Sequence, residues 1–326
     1  MCHGLLAKNT FSESTLQVGA KTMKPNITRV FFILRCFVFP AAALVAISLP
    51  YSATEITSSS GMLVLLGSLI VVLGIPHGAL DAWVAEKIGF SRNQRTYLLF
   101  LSAYLACAAI VVTIWAIFPA TSLLVFLVLS AIHFSEDWRE GRRSIAHLPT
   151  GFLLLLMPIG FHTPEVAELF AHLSGPRGAD LAYYLTLPDW LMVCTMLVLS
   201  VRAVFQRKKQ LALELFTLLV LAHQVNPLIF FTLYFCLLHS PRHFLHLFHK
   251  AEEKEHARLF RIAFSYTVAT LLLSSFLWWL WSELPLDSIV LRLTFISLAA
   301  LTYPHMFLIY SARQWLESKS DYKIST

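Results

Sequence analysis

Leu237-Leu238-His239-Ser240-Pro241-Arg242-His243 lies inside an apolar run that begins near Pro227 and holds no charged residue before the first imidazole. Two imidazoles and a guanidinium sit where a membrane-crossing helix should carry hydrocarbon. Positions four apart share a helix face, so His239 and His243 can point at one object, with His246 close to the same stripe. Ionisable groups at membrane depth are costly and mark a functional site by default. Pro241 complicates the picture. A proline inside a helix removes a hydrogen bond and clashes with the carbonyl four residues back, here that of Leu237. The stretch therefore predicts a kink, and leaves open whether His243 stays with His239 or gives way to His246 or His305.

Composition agrees with a membrane reading. The chain has 326 residues, 57% hydrophobic and only 13% charged, with a mean hydropathy of +0.67. Soluble domains are about 45–50% apolar and about 25% charged, so the expected class is an all-α, polytopic integral membrane bundle. No segment is polar enough for a soluble catalytic domain. The net charge of +6 sits in short loops, which suits topology determinants and not a nucleic-acid-binding face. Cys2, Cys36, Cys107, Cys194 and Cys236 show no Cys-x-x-Cys spacing, and neither a disulfide framework nor an iron–sulfur site is indicated.

Runs of about 20 apolar residues, fewer where a helix is short, mark the candidate spans. They are Val30–Leu49, Met62–Trp83, Tyr97–Phe118, Thr121–Trp138 and His147–Phe161, then Trp190–Phe205, Leu211–His223, Pro227–His249, Phe260–Trp281 and Ile289–Trp315. The expectation is eight to ten crossings within one catalytic domain, 30–315. A flexible N-terminal tail, 1–29, and a C-terminal tail, 316–326, flank it. Loops rich in Lys and Arg alternate with loops lacking them, which places both termini in the cytoplasm of a cell whose inner membrane holds the protein. Trp278, Trp279 and Trp281 then belong to an outer aromatic belt. Phe161–Asp189 is the longest loop, with Pro164–Leu173 as a short amphipathic helix.

Polar residues interrupt the hydrocarbon in four places: Pro76-His77-Gly78-Ala79-Leu80-Asp81, His133-Phe134-Ser135-Glu136-Asp137, the opening stretch, and Tyr303-Pro304-His305-Met306. With alternating topology, all four helices run in the same direction. His77, His133, His239 and His305 fall about 12–16 residues from the outer end of their spans, which at about 1.5 Å per residue puts them in one layer. Imidazoles converging from separate helices suit a transition metal such as Fe, Cu, Zn or Ni. Asp81 and Asp137 each follow a histidine by four residues. Each can ligate directly or accept the far ring N–H of a ligand, and the latter role is favoured. Arg242 can pair with Asp81, Asp137 or a carbonyl. Tyr303, Tyr234 and Thr232 are candidates to line a pocket. His147, His162, His172, His223, His249 and His256 sit at span ends or in loops and read as ordinary interfacial histidines.

The ordered set Pro76-His77-Gly78-Ala79-x-Asp81, His133-x-x-x-Asp137, His239-Ser240-x-Arg242-His243 and Pro304-His305-Met306 resembles the Brp/Blh family of bacterial and archaeal membrane β-carotene 15,15′-dioxygenases. The resemblance runs from about Leu66 to Ile309. It implies a mononuclear Fe(II) held by His77, His133, His239 and His243. It also implies that β-carotene from the bilayer is split at its central double bond by O₂ into two retinals, which would supply a microbial rhodopsin. Two other readings use the same histidines. A di-iron lipid desaturase or hydroxylase needs more of them, in H-x-x-x-H and H-x-x-H-H clusters, and a haem-binding or transport bundle would consume no carotene.

Overall fold

The computed structural model describes residues 25–48, 60–74, 76–139, 147–280, 283 and 285–324, without the side chains of 25–28, 60, 76–77 and 316–324. Residues 1–24 of the expected tail, the His77 side chain and Trp281 thus lie outside the described residues. The helices are α1 (25–48), α2 (60–74), a helical turn Pro76–Ala79, α3 (Asp81–Ile88), α4 (Gln94–Ile117), α5 (Pro119–Ser135) and α6 (Leu148–Phe161). They continue with α7 (Thr163–Ser174), α8 (Pro176–Leu185), α9 (Asp189–Phe205), α10 (Lys209–Gln224), α11 (Pro227–Lys250), α12 (His256–Leu280) and α13 (Leu286–Ile324). No strand occurs among the described residues.

Each expected span falls on helix. Among the described residues, six helices are long and apolar enough to cross a membrane, or eight if the bent pairs α6–α7 (105°) and α8–α9 (61°) each count once. The protein is a multi-pass helical membrane protein. α2 is described to Gly74, and the Pro76–Ala79 turn and α3 follow it. Several boundaries differ from the sequence reading. α1 is already helical at Pro25, ahead of Val30. α13 runs to Ile324, through the expected C-terminal tail. Phe161–Asp189 is mostly helix: α7 covers the expected amphipathic piece, and α8, with Arg177 and Asp180 in its apolar pattern, was too polar to read as an element.

α11 is the axis of the bundle. Half of its apolar window is buried, against 11% for α1 and α4 and 17% for the window that includes α12. It contributes to three apolar cores: Tyr234 and Phe235 pack among α1, α6, α9 and α10; Leu228 among α5, α7 and α13; Leu247 among α3, α12 and α13. α4 and α12 instead turn Leu98, Leu99, Leu105, Phe260, Phe264 and Leu272 outward, as lipid-facing helices do.

The expected kink at Pro241 takes a particular form. Phe235–His239 is a π-turn, and Ser240–Lys250 resumes as α-helix with Pro241 in its first turn. The inserted residue shifts the hydrogen-bond ladder, so the ring of Pro241 meets a place where the ladder is already interrupted. The same device precedes Pro40, at Leu34–Val38, and Pro76, at Ile70–Gly74. The π-turns of α2 and α11 lie side by side. Ser240 Oγ donates to the carbonyls of Leu73 (2.6 Å) and Gly74 (3.0 Å), while Cys236 Sγ approaches that of Leu69 (3.5 Å). Gly74 is required there, because a Cβ would run into the ring of Phe235. The helix ahead of His77 is thereby fastened to the residue next to His239.

Candidate active site

α11 resumes as α-helix at Ser240, so His239 and His243 are one α-turn apart and share a face, with ring centroids 4.7 Å apart. His133, near the end of α5, meets both, at 4.8 Å from His239 and 5.6 Å from His243. One nitrogen from each of these three rings lies within 4.8 Å of the other two, close enough for a single metal ion to bridge them. His305 of α13 stands edge-on to His133 at 5.2 Å, in the layer but outside that group of three. His246 is outside it as well. Pro241 therefore keeps His243 with His239. The turn that carries His77 packs against the part of α11 that carries His243, although the His77 side chain is not among the described ones.

Asp137 and Asp81 hold these rings. Asp137 has no exposed side-chain surface; its Oδ2 lies 3.2 Å from His239 Nδ1 and its Oδ1 3.2 Å from His243 Nε2. An ionised carboxylate only accepts, so the His239 nitrogen facing it carries the proton and Nε2 keeps its lone pair. Tyr234 Oη donates to Asp137 Oδ2 at 2.8 Å, and Arg242 pairs with the same carboxylate at 3.0 Å. Arg242 also pairs with Glu214 of α10 (2.9 Å), an acid with no exposed surface. Arg35 of α1 pairs with Glu214 from the other side, and Trp138 Nε1 donates to it at 2.8 Å. Among the described residues Asp81 serves one imidazole: its carboxylate oxygens lie 2.8 and 2.9 Å from His305 Nδ1, and Tyr104 Oη of α4 donates to it at 2.9 Å.

His133 and His305 line an apolar cavity that is partly open to the surroundings. Phe134, Phe231 and Phe235 supply aromatic walls, and Asp81, Tyr104, Ser130, Tyr266, Thr270 and Thr302 polar ones. The candidates proposed from sequence to line a pocket sit elsewhere. Tyr234 is one position from Phe235 and so points away, to Asp137. Thr232 bonds back to the Leu228 carbonyl. Tyr303 lies beside Thr302, which does line the cavity. Arg35, Glu214 and Tyr104 were missed from sequence. For Arg35 and Glu214 the signal was present, since each is a charge inside an apolar run.

Fold and site together define a polytopic helical membrane protein that gathers imidazoles of metal-binding type against an apolar cavity. Residues 68–312 match the family model described as Beta-carotene 15,15′-dioxygenase. Over 256 residues the chain is 32% identical to a protein of an uncultured marine bacterium, 66A03, named Beta-carotene 15,15′-dioxygenase; the match spans 74% of this chain and 90% of that one. The chain belongs to the β-carotene 15,15′-dioxygenase family, and hence to the oxygenases. No solved structure matches it significantly.

Proposed function

We propose that this protein cleaves β-carotene at its central 15,15′ double bond with O₂, giving two molecules of retinal, at one Fe(II) held by His77, His133, His239 and His243. The observation that carries the reading is the set of three imidazoles, each offering one nitrogen to a common point, beside an apolar cavity inside a membrane bundle. The donor set fits the metal. Neutral imidazoles suit Fe(II), and a carboxylate that takes the far N–H of a ligand fixes its tautomer and raises its basicity. Iron would supply the redox chemistry that brings O₂ to a carbon–carbon double bond. One such bond breaks, two carbonyls form, and each product takes one atom of O₂.

The chain's own residues do the rest. Asp137 orients His239 and His243, and Arg242 and Tyr234 hold that carboxylate in place. Phe134 and Phe235 pack on His239, at 4.8 and 5.5 Å between ring centres, and keep water from that side of the site. A hydrocarbon substrate offers no group to bind by hydrogen bonds, so recognition rests on the shape of apolar walls. Such a substrate dissolves in the bilayer, and an enzyme embedded there meets it directly. Both termini would face the cytoplasm of a cell whose inner membrane holds the enzyme, and the retinal would serve a rhodopsin. The family match does not favour a desaturase or a haem bundle.

Expression in cells that accumulate β-carotene tests this. The orange colour should fade as retinal appears, and His239→Ala or His243→Ala should prevent it while the protein stays in the membrane. Unchanged carotene at full expression of the wild type would overturn the reading. Full activity in either variant would overturn the ligand assignment.

A further inference from the structure

Three cavities in the bundle share walls in sequence. The central one, beside His133 and His305, shares Phe126, Ser130, Phe134 and Phe231 with an inner cavity. On its other side it shares Phe100 and Tyr104 with an outer one between α4 and α13. Inner and outer cavities have no wall residue in common. The order is therefore outer, central, inner.

The helices confirm that this is a line and not a cluster. α13 lines all three with one stripe: Leu291 and Phe295 the inner cavity, Leu298, Thr302 and His305 the central one, Leu308 the outer one. Steps of three or four residues keep these side chains on one face. From Leu291 to Leu308 the stripe covers about 25 Å of helix axis at about 1.5 Å per residue. α5 lines the inner and central cavities in the same way, through Leu123, Phe126, Ser130 and His133.

The two ends differ. The inner cavity has no exposed wall residue, and Leu169, Phe170 and Leu173 of α7 form one of its walls. The outer cavity has Leu99 (61% exposed) and Phe307 (70%), on outward helix faces, and Phe90 (46%), in the bend between α3 and α4, among its walls.

We propose that the three cavities form one path for a single long, linear, apolar polyene. The chain enters from the bilayer between α4 and α13, passes the histidines, and lodges one end against α7. Ser130 sits one helical turn ahead of His133 at the joint between central and inner cavities, and its small side chain leaves the passage between three phenylalanines. From Leu123 to His133 the inner arm is about 15 Å deep along α5. That is room for one arm of such a molecule and not for the whole. Inner-arm depth then decides which double bond stops beside the histidines. This rests on the polyene-cleaving function proposed above and adds what sets the position of the cut.

Purified enzyme in lipid nanodiscs, given β-carotene, tests it by the masses of the aldehydes formed. Phe170→Ala deepens the inner arm, so the chain slides further in and unequal aldehydes should appear beside retinal. Leu169→Trp shortens it and should displace the cut the other way, with total turnover down about tenfold, as expected when a hydrophobic pocket no longer fits. Ser130→Trp should stop cleavage of β-carotene while metal content stays at the wild-type level, which separates a blocked path from a lost site. If Phe170→Ala and Leu169→Trp fold, hold metal and give only equal halves, the path is wrong even though the enzyme is a carotene oxygenase. If the wild type yields no aldehyde at all, the functional reading fails first.

Discussion

Asp81 and Asp137 look like copies in the sequence, each four residues after a histidine, yet the structure uses them differently. Asp137 faces two imidazoles from α11, not His133 on its own helix. It is locked by Tyr234 and Arg242, and behind Arg242 by Glu214, Arg35 and Trp138. Among the described residues Asp81 holds a single imidazole, His305, with Tyr104 as a second partner, and lines the cavity directly. One carboxylate is anchored in a shielded charge network beside the three-imidazole group, and the other stands at the cavity wall. Under the proposed function the same spacing would serve two ends: holding a metal and shaping the space where a substrate lies.

The strongest way to break this comparison is to remove each acid in turn. Asp137→Ala should weaken metal binding by about 10–100-fold, the usual cost of losing the partner of a ligating histidine, and abolish retinal formation with it. Asp81→Ala should leave metal content near that of the wild type and reduce turnover. Metal analysis of the purified variants reads both. Equal loss of metal from the two would mean that His305 and Asp81 belong to the metal site and that the division drawn here is wrong.

Glu214 sharpens the contrast at the next level. Taking one member from a buried ion pair costs about 3–5 kcal/mol, because the partner stays buried and uncompensated. Glu214→Gln should therefore lower the thermal midpoint strongly in detergent and loosen Arg242 from Asp137. Replacing Glu214 by Leu together with Arg242→Met should recover only part of the stability, since apolar packing can substitute for that pair but leaves Arg35 and Asp137 each short of a partner. Metal binding should stay weakened in the double variant, because Asp137 has still lost Arg242. Stability and metal content would then separate.

The sequence made one half of this site readable and left the other obscure. Apolar runs located the helices, and counting residues from their ends brought His133, His239 and His305 to one depth, where their rings do meet. Asp137 could be seen as a holder of imidazoles, but its target could not, because the pairing crosses from α5 to α11. Glu214 and Arg35 offered the same signal as His239, a charge in hydrocarbon, but each is explained only by a partner on another helix. The π-turns were illegible because they depend on where the chain absorbs a proline, which three prolines do in one way and Pro304 does not. Tyr303 and Tyr234 sit one position from walls of the central cavity, which sequence alone does not separate, because a helix turns about 100° per residue.

Tyr104 tests the wall side alone. Tyr104→Phe keeps the ring and removes one hydrogen bond to Asp81, worth about 0.5–1.5 kcal/mol. Metal content should not move. The effect should appear in KM for carotene more than in kcat, because the ring stands where the outer and central cavities join.

The smallest effect belongs to a pair of the same chemistry in a different place. Arg258 of α12 meets Glu86 of α3 in a two-pronged contact (2.5 and 3.1 Å), as favourable in shape as the contacts of Arg242, but with 47% and 36% of the two side chains exposed. Water solvates both partners when they separate, so Arg258→Ala should cost only about 0.2–1 kcal/mol and leave metal and turnover untouched. Measured beside Glu214→Gln, it isolates burial as the variable, since the ion-pair chemistry is shared. A loss at Arg258 as large as at Glu214 would show that pairing itself, not shielding from solvent, sustains this bundle, and Asp137 would then lose its special standing over any other paired carboxylate.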